Sequence, residues 1–212
     1  MARLYDISPR ISPRTAVFPG DTTFSRHIAL DIARGDPISL SGMTTTLHLG
    51  AHADAPSHYH REGATIDRQP LELYVGPCSL LRVSVARGRT VVVADVAGRL
   101  PAGTERLVLA TGTFPDPDRW NADFATLDPA LVEWLGDRGV QLVVIDTPSV
   151  DRSDSKDLPA HAACFRRGIA IIEGVVLDGV PEGPYELIAL PLRIEGADAS
   201  PVRAALRTIP SR

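Results

Sequence analysis

The sequence predicts a single α/β domain with a mixed central sheet. Two apolar runs, residues 106–111 and 141–145, have the length and composition of buried strands. Between them, the pair Asp128-Pro129 is typical of a helix start and Gly139 of a helix end. A strand, a helix and a second strand in this order normally form a parallel pair. The length of 212 residues suits one domain, which we expect to span residues 1–212.

The N-terminal part of the chain predicts three strands and one long loop. Residues 4–8 and 27–33 have strand-like patterns, and residues 43–49 are rich in threonine, which favours strands. Several prolines and a glycine between the first two strands predict an ordered loop. Loops of this kind often carry binding residues. From the pattern alone, however, Phe18 in this loop is expected to anchor the core.

The rest of the chain predicts a hairpin, a second helix and two more strands. Residues 78–85 and 90–94 are β-rich and flank a short turn, which predicts a hairpin. Leu158 to Arg167 predicts a helix that ends at Gly168. The remaining predicted elements are a strand at 169–172, a last core strand at 186–193 and a tail of mixed polar and apolar residues at 201–207.

Composition and charge exclude several classes of function. The formal net charge is −4 and the isoelectric point is near 5.8, so no basic surface for nucleic acid or anionic membranes is expected. The first residues do not have the pattern of a signal peptide, and no apolar stretch reaches the roughly 18 residues of a membrane span. Cys78 and Cys164 are far apart in sequence and suggest no disulfide framework. These features predict a cytoplasmic enzyme.

The chemistry is concentrated in residues 48–60, which we call the histidine-rich segment. It holds four of the six histidines of the chain. Imidazoles and a carboxylate are ligands of Zn²⁺, Mn²⁺ and Fe²⁺, and the lack of a nearby cysteine argues against a closed structural zinc site. His48, His52 and Asp54 form a plausible set of three ligands that leaves coordination positions open for catalysis. We expect an extended backbone here, with a helix disfavoured by Pro56.

Residues outside this segment could complete the site. A second metal ion would need further ligands, and the chain offers His161 and Glu173, although a lone histidine is more often structural. His58 is the best candidate for acid/base chemistry, because histidine titrates near neutral pH. His60 is expected to be a solvated loop residue. Four other polar residues are expected to be structural: His27, Asp6, Asp21 and Asp146.

The sequence also argues against the rival hydrolase classes. It contains no Gly-x-Ser-x-Gly nucleophile motif and no sequence signature of a cysteine–histidine pair. It contains no Gly-x-Gly-x-x-Gly or P-loop motif for nucleotides. Metal-assisted hydrolysis is the mechanism that remains.

The motif His-x-Gly-x-His-x-Asp-x-Pro-x-His resembles the signature of the metal-dependent cyclase-like amidohydrolases. Within that family, the match is closest to the bacterial kynurenine formamidases, also called arylformamidases. The resemblance covers nearly the whole chain, and further matching motifs follow in the same order: residues 18–21, 110–113, 145–151, 154–156, His161, 173–174 and 189–192.

The resemblance implies a swivelling β/β/α fold, a homodimer and two divalent metal ions per chain. Zn²⁺ is the expected metal and Mn²⁺ the alternative. His48, His52 and Asp54 would hold the first ion. Asp54 would bridge the two ions, His161 would hold the second, and Glu173 would contact both.

The resemblance also implies roles for residues that do not bind metal. His58 matches the proton-transfer histidine of the family. Phe18 stands where related enzymes often have a tryptophan or tyrosine against the aromatic ring of the substrate. Ala51 replaces a threonine common in the family motif, which removes a hydroxyl but no ligand.

The implied reaction is the hydrolysis of N-formyl-L-kynurenine to L-kynurenine and formate, a step of tryptophan breakdown in the kynurenine pathway. Metal-activated hydroxide would attack the formyl carbon, and His58 would donate and accept the proton. Two alternatives remain open. The first is a cyclic-amide hydrolase of the isatin hydrolase type on the same scaffold. The second is a non-catalytic protein that binds metabolites.

Overall fold

The computed structural model describes residues 2–209, so the ends of the expected 1–212 domain lie outside it. Its strands are β1 (Leu4–Asp6), β2 (Ser25–Leu30), β3 (Leu40–Thr44), β4 (His52–Asp54), β5 (Val75–Arg82), β6 (Thr90–Val91), β7 (Arg106–Ala110), β8 (Thr126–Leu127), β9 (Leu142–Ile145), β10 (Ala170–Glu173), β11 (Gly183–Ile188), β12 (Ala199–Pro201) and β13 (Ala205–Thr208). Its α-helices are α1 (Pro56–Tyr59), α2 (Val93–Val96), α3 (Pro129–Gly136) and α4 (Pro159–Arg167). Short 3₁₀ turns occur at Ile32–Arg34, Ile66–Arg68 and Leu71–Leu73.

Nine strands form one mixed sheet in the order β1-β13-β11-β5-β7-β9-β10-β4-β12. The four central strands β5, β7, β9 and β10 are parallel to one another. The outer strands join them in antiparallel pairs. The predicted α/β class with a mixed sheet is therefore confirmed, as is the predicted parallel pair of β7 and β9.

Strands β7, β9 and β10 are buried on both faces, which explains their continuous apolar runs. Along β7, Val108 belongs to one hydrophobic cluster and Leu107 and Leu109 to another. Helices α3 and α4 cover the second face with fully buried Leu131, Leu135 and Ala163, among others. The two helices thus fix the positions of the strands that carry the candidate site.

The predicted start of α3 and the predicted end of α4 are confirmed, whereas α3 ends at Gly136, three residues before the predicted stop at Gly139. Asp128 accepts a hydrogen bond from the backbone N–H of Ala130 and caps α3, while Pro129 occupies the first turn. Helix α4 ends at Gly168, which has a left-handed φ of 62°.

Two strands near the N-terminus were predicted in the wrong place. Strand β2 stops at Leu30 because Asp31 caps a 3₁₀ turn by accepting from the N–H of Ala33. Strand β3 ends at Thr44, opposite the first residue of β2, and the threonines that follow have no β2 residue to pair with. The two strands form a separate exposed hairpin arm, residues 25–44.

The hairpin predicted around residues 86–89 is wrong. Strand β5 pairs with β7 and β11, whereas β6 pairs with β8 in a different two-stranded sheet. The strand predicted at 186–193 is β11, which ends at Ile188 rather than Arg193. It is not the last strand of the core sheet, because β12 follows it and β13 lies in the predicted tail; β4, β11 and β1 provide their partners from distant parts of the chain.

The expectation that Pro56 disfavours a helix is also wrong, because α1 starts at this residue, directly after the extended strand β4. Proline occupies the first position of α1, where its missing N–H would have no intrahelical partner. Within residues 2–209, no helix is long and apolar enough to cross a membrane.

Candidate metal centre

Strands β4 and β10 place three buried acidic and imidazole side chains together. In their antiparallel pairing, His52 lies opposite Glu173, and Asp54 lies two residues further along β4 on the same face. His52 Nε2 is 3.4 Å from Asp54 Oδ1 and 3.5 Å from Glu173 Oε2. All three residues are at most 3% exposed. The pairing therefore brings Glu173 to the histidine-rich segment from far along the chain.

His48 reaches the same carboxylate from the bend before β4. Its Nδ1 lies 3.0 Å from Asp54 Oδ1. In this bend, Gly50 has a left-handed φ of 56°, and its carbonyl accepts a hydrogen bond of 2.8 Å from His52 Nδ1. Because Nδ1 of His52 is used in this way, Nε2 is the nitrogen that faces the two carboxylates.

The two backbones beside the site approach closely. A Cβ atom placed on Gly174 would lie 2.1 Å from the carbonyl oxygen of Gly50, and Gly174 has a φ of 69°. Glycine is therefore required directly after Glu173 for the carboxylate to reach His52.

His161 enters the site from the first turn of α4. Its Nε2 lies 3.4 Å from Asp54 Oδ2 and 3.7 Å from Glu173 Oε1. Its Nδ1 contacts Asp151 Oδ2 at 2.8 Å, and this carboxylate also accepts from the backbone N–H of Ala160 and His161. Asp151 therefore both orients the imidazole of His161 and caps α4. Sequence reasoning missed this role, since the acid lies eight residues before the helix starts.

The charges of these buried groups depend on one another. Burial opposes protonation of His52, but the adjacent carboxylates of Asp54 and Glu173 outweigh it and raise the pKa to about 10. Burial likewise opposes protonation of His161, but the hydrogen bond to Asp151 and the nearby carboxylate of Asp54 raise its pKa to about 10. Despite burial, the adjacent imidazoles of His161, His48 and His52 hold the pKa of Asp54 well below its usual value. In the absence of a cation, protons on the imidazoles balance the buried carboxylates.

The donor set fits a divalent metal. Three buried polar atoms at its centre have no hydrogen-bond partner among the described residues: His52 Nε2, Asp54 Oδ1 and Asp54 Oδ2. Buried polar atoms without partners are costly, and a cation would satisfy all three. Two groups have ligand atoms within 4.8 Å of one another, namely His48, Asp54 and His58, and His52, Asp54 and Glu173. The histidine and carboxylate donors suit zinc or manganese.

His58 lies on α1 at the edge of these groups. Its ring centroid is 4.1 Å from that of His48, and its Nδ1 is 3.7 Å from Asp198 Oδ2. About a third of its side chain, 34%, is exposed. Burial of the remainder lowers the pKa of His58, and the nearby His48 and His161 add to this effect, while the carboxylates of Asp54 and Asp198 oppose it only in part. The surroundings therefore favour the neutral imidazole, which can accept a proton.

A cavity of about 480 Å³ opens onto four of the five predicted ligands, all except Asp54, and onto His58. Phe18 lines it and is 38% exposed, so the expectation that this residue anchors the core is wrong. Trp120 packs edge-on against Phe18 with ring centroids 5.0 Å apart, and Phe114 lies behind it. Sequence reasoning did not identify Trp120 or Phe114, although they flank a proline-rich loop segment that is typical of binding loops.

Other polar residues lie outside the group of ligands. His27 contacts Ser25 and Thr44 on the exposed hairpin arm. Asp146 accepts hydrogen bonds from the backbone and hydroxyl of residues 111–112, although it also lines the cavity. His60 is not a solvated loop residue, because its ring stacks on Phe165 of α4 at 3.6 Å.

Comparison with known proteins identifies the family. The family model described as "Putative cyclase" matches residues 5–152. The kynurenine formamidase of Paracidovorax citrulli is 45% identical over 209 residues, covering 97% of this chain and 96% of the relative. The kynurenine formamidase of Sphingopyxis alaskensis is also 45% identical over 209 residues, covering 99% of this chain and 100% of the relative.

Solved structures resemble the whole chain. A potential metal-dependent hydrolase with cyclase activity has a TM-score of 0.85 at 28% identity, with 100% of both chains covered. A predicted metal-dependent hydrolase from Bacillus stearothermophilus has a TM-score of 0.83 at 28% identity, with 98% of both chains covered. Isatin hydrolase A from Ralstonia solanacearum shares the fold at a TM-score of 0.82 and 22% identity, with 98% of this chain and 92% of that chain covered.

The geometry and the comparisons agree with the resemblance read from the sequence. Either the match to the family model or the 45% identity to two relatives over nearly the full length would alone be enough to assign the chain to its family. The chain belongs to the cyclase family of metal-dependent hydrolases, together with the kynurenine formamidases.

Proposed function

We propose that this protein is an arylformamidase that hydrolyses N-formyl-L-kynurenine to L-kynurenine and formate in tryptophan degradation. The observation that carries the proposal is the convergence of imidazoles and carboxylates from β4, β10 and α4 at the end of a cavity with aromatic walls. Relatives named kynurenine formamidase, 45% identical over nearly the whole chain, support the same reaction.

We propose that the site holds two divalent ions, Zn²⁺ or Mn²⁺. His48, His52 and Asp54 would hold one, and His161 the other. The two oxygens of Asp54 support a bridging role, because Oδ1 faces His48 and His52 while Oδ2 faces His161. Glu173 has the same arrangement, with Oε2 towards His52 and Oε1 towards His161.

When bound, such cations lower the pKa of water and polarise a carbonyl oxygen. The protein residues supply the proton transfers. Neutral His58 accepts a proton as water adds to the formyl carbon, and it returns this proton to the aryl nitrogen as the C–N bond breaks. Protonation matters because an aryl amine is a poor leaving group as an anion. General acid–base catalysis of this kind contributes about 10²–10⁴ in rate.

The cavity walls suit the aromatic ring of the substrate. A volume of about 480 Å³ is in the usual range for a site that encloses a small molecule. Phe18 and Trp120 both line it and stand edge to face, so a bound aryl ring can contact either of them. Each such aromatic contact is worth roughly 0.5–1.5 kcal/mol.

The test is turnover of N-formyl-L-kynurenine by the purified protein, with isatin as the competing substrate and metal content measured in parallel. We expect formamide cleavage that stops on chelation and returns with Zn²⁺ or Mn²⁺. Fast opening of isatin with negligible formamide cleavage would instead favour an isatin hydrolase. The similarity to isatin hydrolase A, at 22% identity, supports a shared fold only. Metal binding without turnover of either amide would favour a non-catalytic protein.

We also propose that the protein is a homodimer. The exposed hairpin arm supports this assembly, because it presents the large apolar side chains of Ile28, Leu40 and Met43, which are 43%, 52% and 65% exposed. Ile28 and Met43 lie on the same face of the arm, and large exposed apolar side chains commonly mark a contact between proteins. Light scattering of the purified protein should give twice the mass of the 22.7 kDa chain, and replacing Ile28 and Met43 with lysine should give the mass of one chain.

A further inference from the structure

Asp198 lies beside two histidines of the candidate site, although it is 150 residues from His48 in sequence. It directly precedes β12, which pairs with β4 so that Ala199 lies opposite Asp54. Its carbonyl oxygen accepts a hydrogen bond of 2.8 Å from the N–H of Ala55. The backbone of Asp198 is therefore fixed to the strand that carries the predicted metal ligands.

The Asp198 carboxylate contacts the edge of His48 that faces away from Asp54. His48 Nδ1 is 3.0 Å from Asp54 Oδ1, and His48 Nε2 is 3.1 Å from Asp198 Oδ2. An imidazole that binds metal through one nitrogen normally donates the proton of its other nitrogen to a carboxylate or carbonyl. With Nε2 donating to Asp198, Nδ1 keeps its lone pair for a cation shared with Asp54.

The same carboxylate oxygen also faces His58. Asp198 Oδ2 is 3.7 Å from His58 Nδ1, which is too long for a hydrogen bond. Hydrogen bonds to catalytic groups are often long in unliganded sites and shorten when substrate binds. With Nδ1 of His58 directed at Asp198, Nε2 is the nitrogen left for proton transfer.

We propose that Asp198 is a positioning residue that fixes the tautomer of His48 for metal binding and aligns His58 for proton transfer. This inference rests on the proposed function of the site. It adds to the site a residue from the C-terminal part of the chain that neither binds the metal nor touches the reacting atoms.

The test compares Asp198→Ala, Asp198→Asn and Asp67→Ala with the wild-type enzyme. Asp67 is a matched control, because its carboxylate accepts a hydrogen bond from Gly196 in the same loop but contacts neither histidine. Each variant is assayed for kcat and KM with N-formyl-L-kynurenine, and for Zn²⁺ affinity by competition with a chromogenic chelator. The affinity measurement does not depend on turnover.

We expect Asp198→Ala to lower kcat and Zn²⁺ affinity about 10- to 100-fold each, with little change in KM. Asp198→Asn keeps an acceptor oxygen for His48 and should recover most of both losses. Asp67→Ala should match the wild type in both measurements. Asp198→Ser, which is too short to reach His48, replaces the alanine variant if that variant does not fold.

Three results would overturn the inference: unchanged kcat and affinity in Asp198→Ala, equal losses in Asp67→Ala, or no recovery in Asp198→Asn. Failure of the proposed function gives a different result, because the wild-type protein itself would then neither bind Zn²⁺ nor cleave the formamide.

Discussion

Asp54 is the residue on which the geometry of the site depends. It is only 1% exposed, and its two oxygens face histidines from two distant segments of the chain, the histidine-rich segment and helix α4. A buried carboxylate without these partners would be strongly destabilised. The arrangement therefore makes sense only if the histidines, their protons or a cation balance its charge.

The division of roles between Asp54 and His58 gives a first prediction. Asp54→Ala should lose bound metal and with it the activity, because the shared carboxylate is removed. His58→Ala should retain metal and lower kcat by about 10²–10⁴, the usual contribution of a proton-transfer group. Metal analysis of the two purified variants, together with kcat, distinguishes the roles. An equal loss of metal in both variants would mean that His58 is a ligand, as its place in one ligand group would allow.

The aromatic wall gives a second prediction at the residue scale. Phe18→Ala and Trp120→Ala should each raise KM roughly two- to tenfold, corresponding to about 0.5–1.5 kcal/mol of lost aromatic contact. Phe18→Trp provides a larger ring at the same place and should lower KM. Steady-state kinetics with N-formyl-L-kynurenine measures both effects. A fall in kcat alone, with KM unchanged, would show that these rings do not hold the substrate.

Helix α4 connects the stability of the fold to the candidate metal centre. Its first turn carries His161, and Asp151 both caps this turn and holds His161 Nδ1. Helix α3 has a cap of the same kind in Asp128, but it is not coupled to the site. A comparison of variants at Asp128 and Asp151 can therefore separate the loss of a helix cap from the loss of the contact that orients His161.

This pair of caps gives a third prediction. Asp128→Ala and Asp151→Ala should each lower the free energy of unfolding by about 0.5–2 kcal/mol through loss of a helix cap. Only Asp151→Ala should also weaken metal binding, about 10- to 100-fold, because His161 loses the acceptor that orients it. Denaturant unfolding and chelator competition measure the two quantities. If both variants bind metal like the wild type, Asp151 acts only as a cap.

Elements with local signals were predictable, and elements with distant partners were not. Helices α3 and α4 start and end at residues whose chemistry is visible in a short window, such as Asp128, Pro129 and Gly168. Strands β8 and β13 are short, and they exist because β6, β1 and β11 provide partners. The propensity of a short strand depends mostly on such neighbours.

The same distinction applies to the residues of the site. His48, His52 and Asp54 were visible as a dense local group, and the resemblance to a known family pointed to His161 and Glu173. Asp198 and Trp120 have no local motif of their own, and Asp151 belongs to a matching motif that did not indicate its role; only the folded chain brings the three to the histidines or the cavity. Their contributions follow from tertiary structure.

At the scale of the whole molecule, the charge balance of the site predicts how stability depends on pH. The pKa values of His52 and His161 are raised from 6.5 to about 10 in the folded protein without metal. Their stabilising effect is therefore complete below pH 6.5 and is lost as the pH rises towards 10. The metal-free protein should be less stable at pH 9 than at pH 6.5.

Bound metal should reverse this dependence, because a cation replaces the protons and binds better when fewer protons compete. Thermal unfolding of chelated and Zn²⁺-loaded protein at pH 6.5 and pH 9 is the measurement. We expect the difference between the two melting temperatures to widen at pH 9. A constant difference would show that the imidazoles carry no extra protons in the metal-free protein.

The position of β4 has a consequence for how the protein is made. Its two neighbours in the sheet, β10 and β12, both lie in the last quarter of the chain. During synthesis, the histidine-rich segment therefore leaves the ribosome long before the strands that will enclose it, and such long-range pairing is slow to form. Until residue 201 has emerged, a nascent chain carries these imidazoles without a finished pocket, so capture of the ion should be among the last events of maturation.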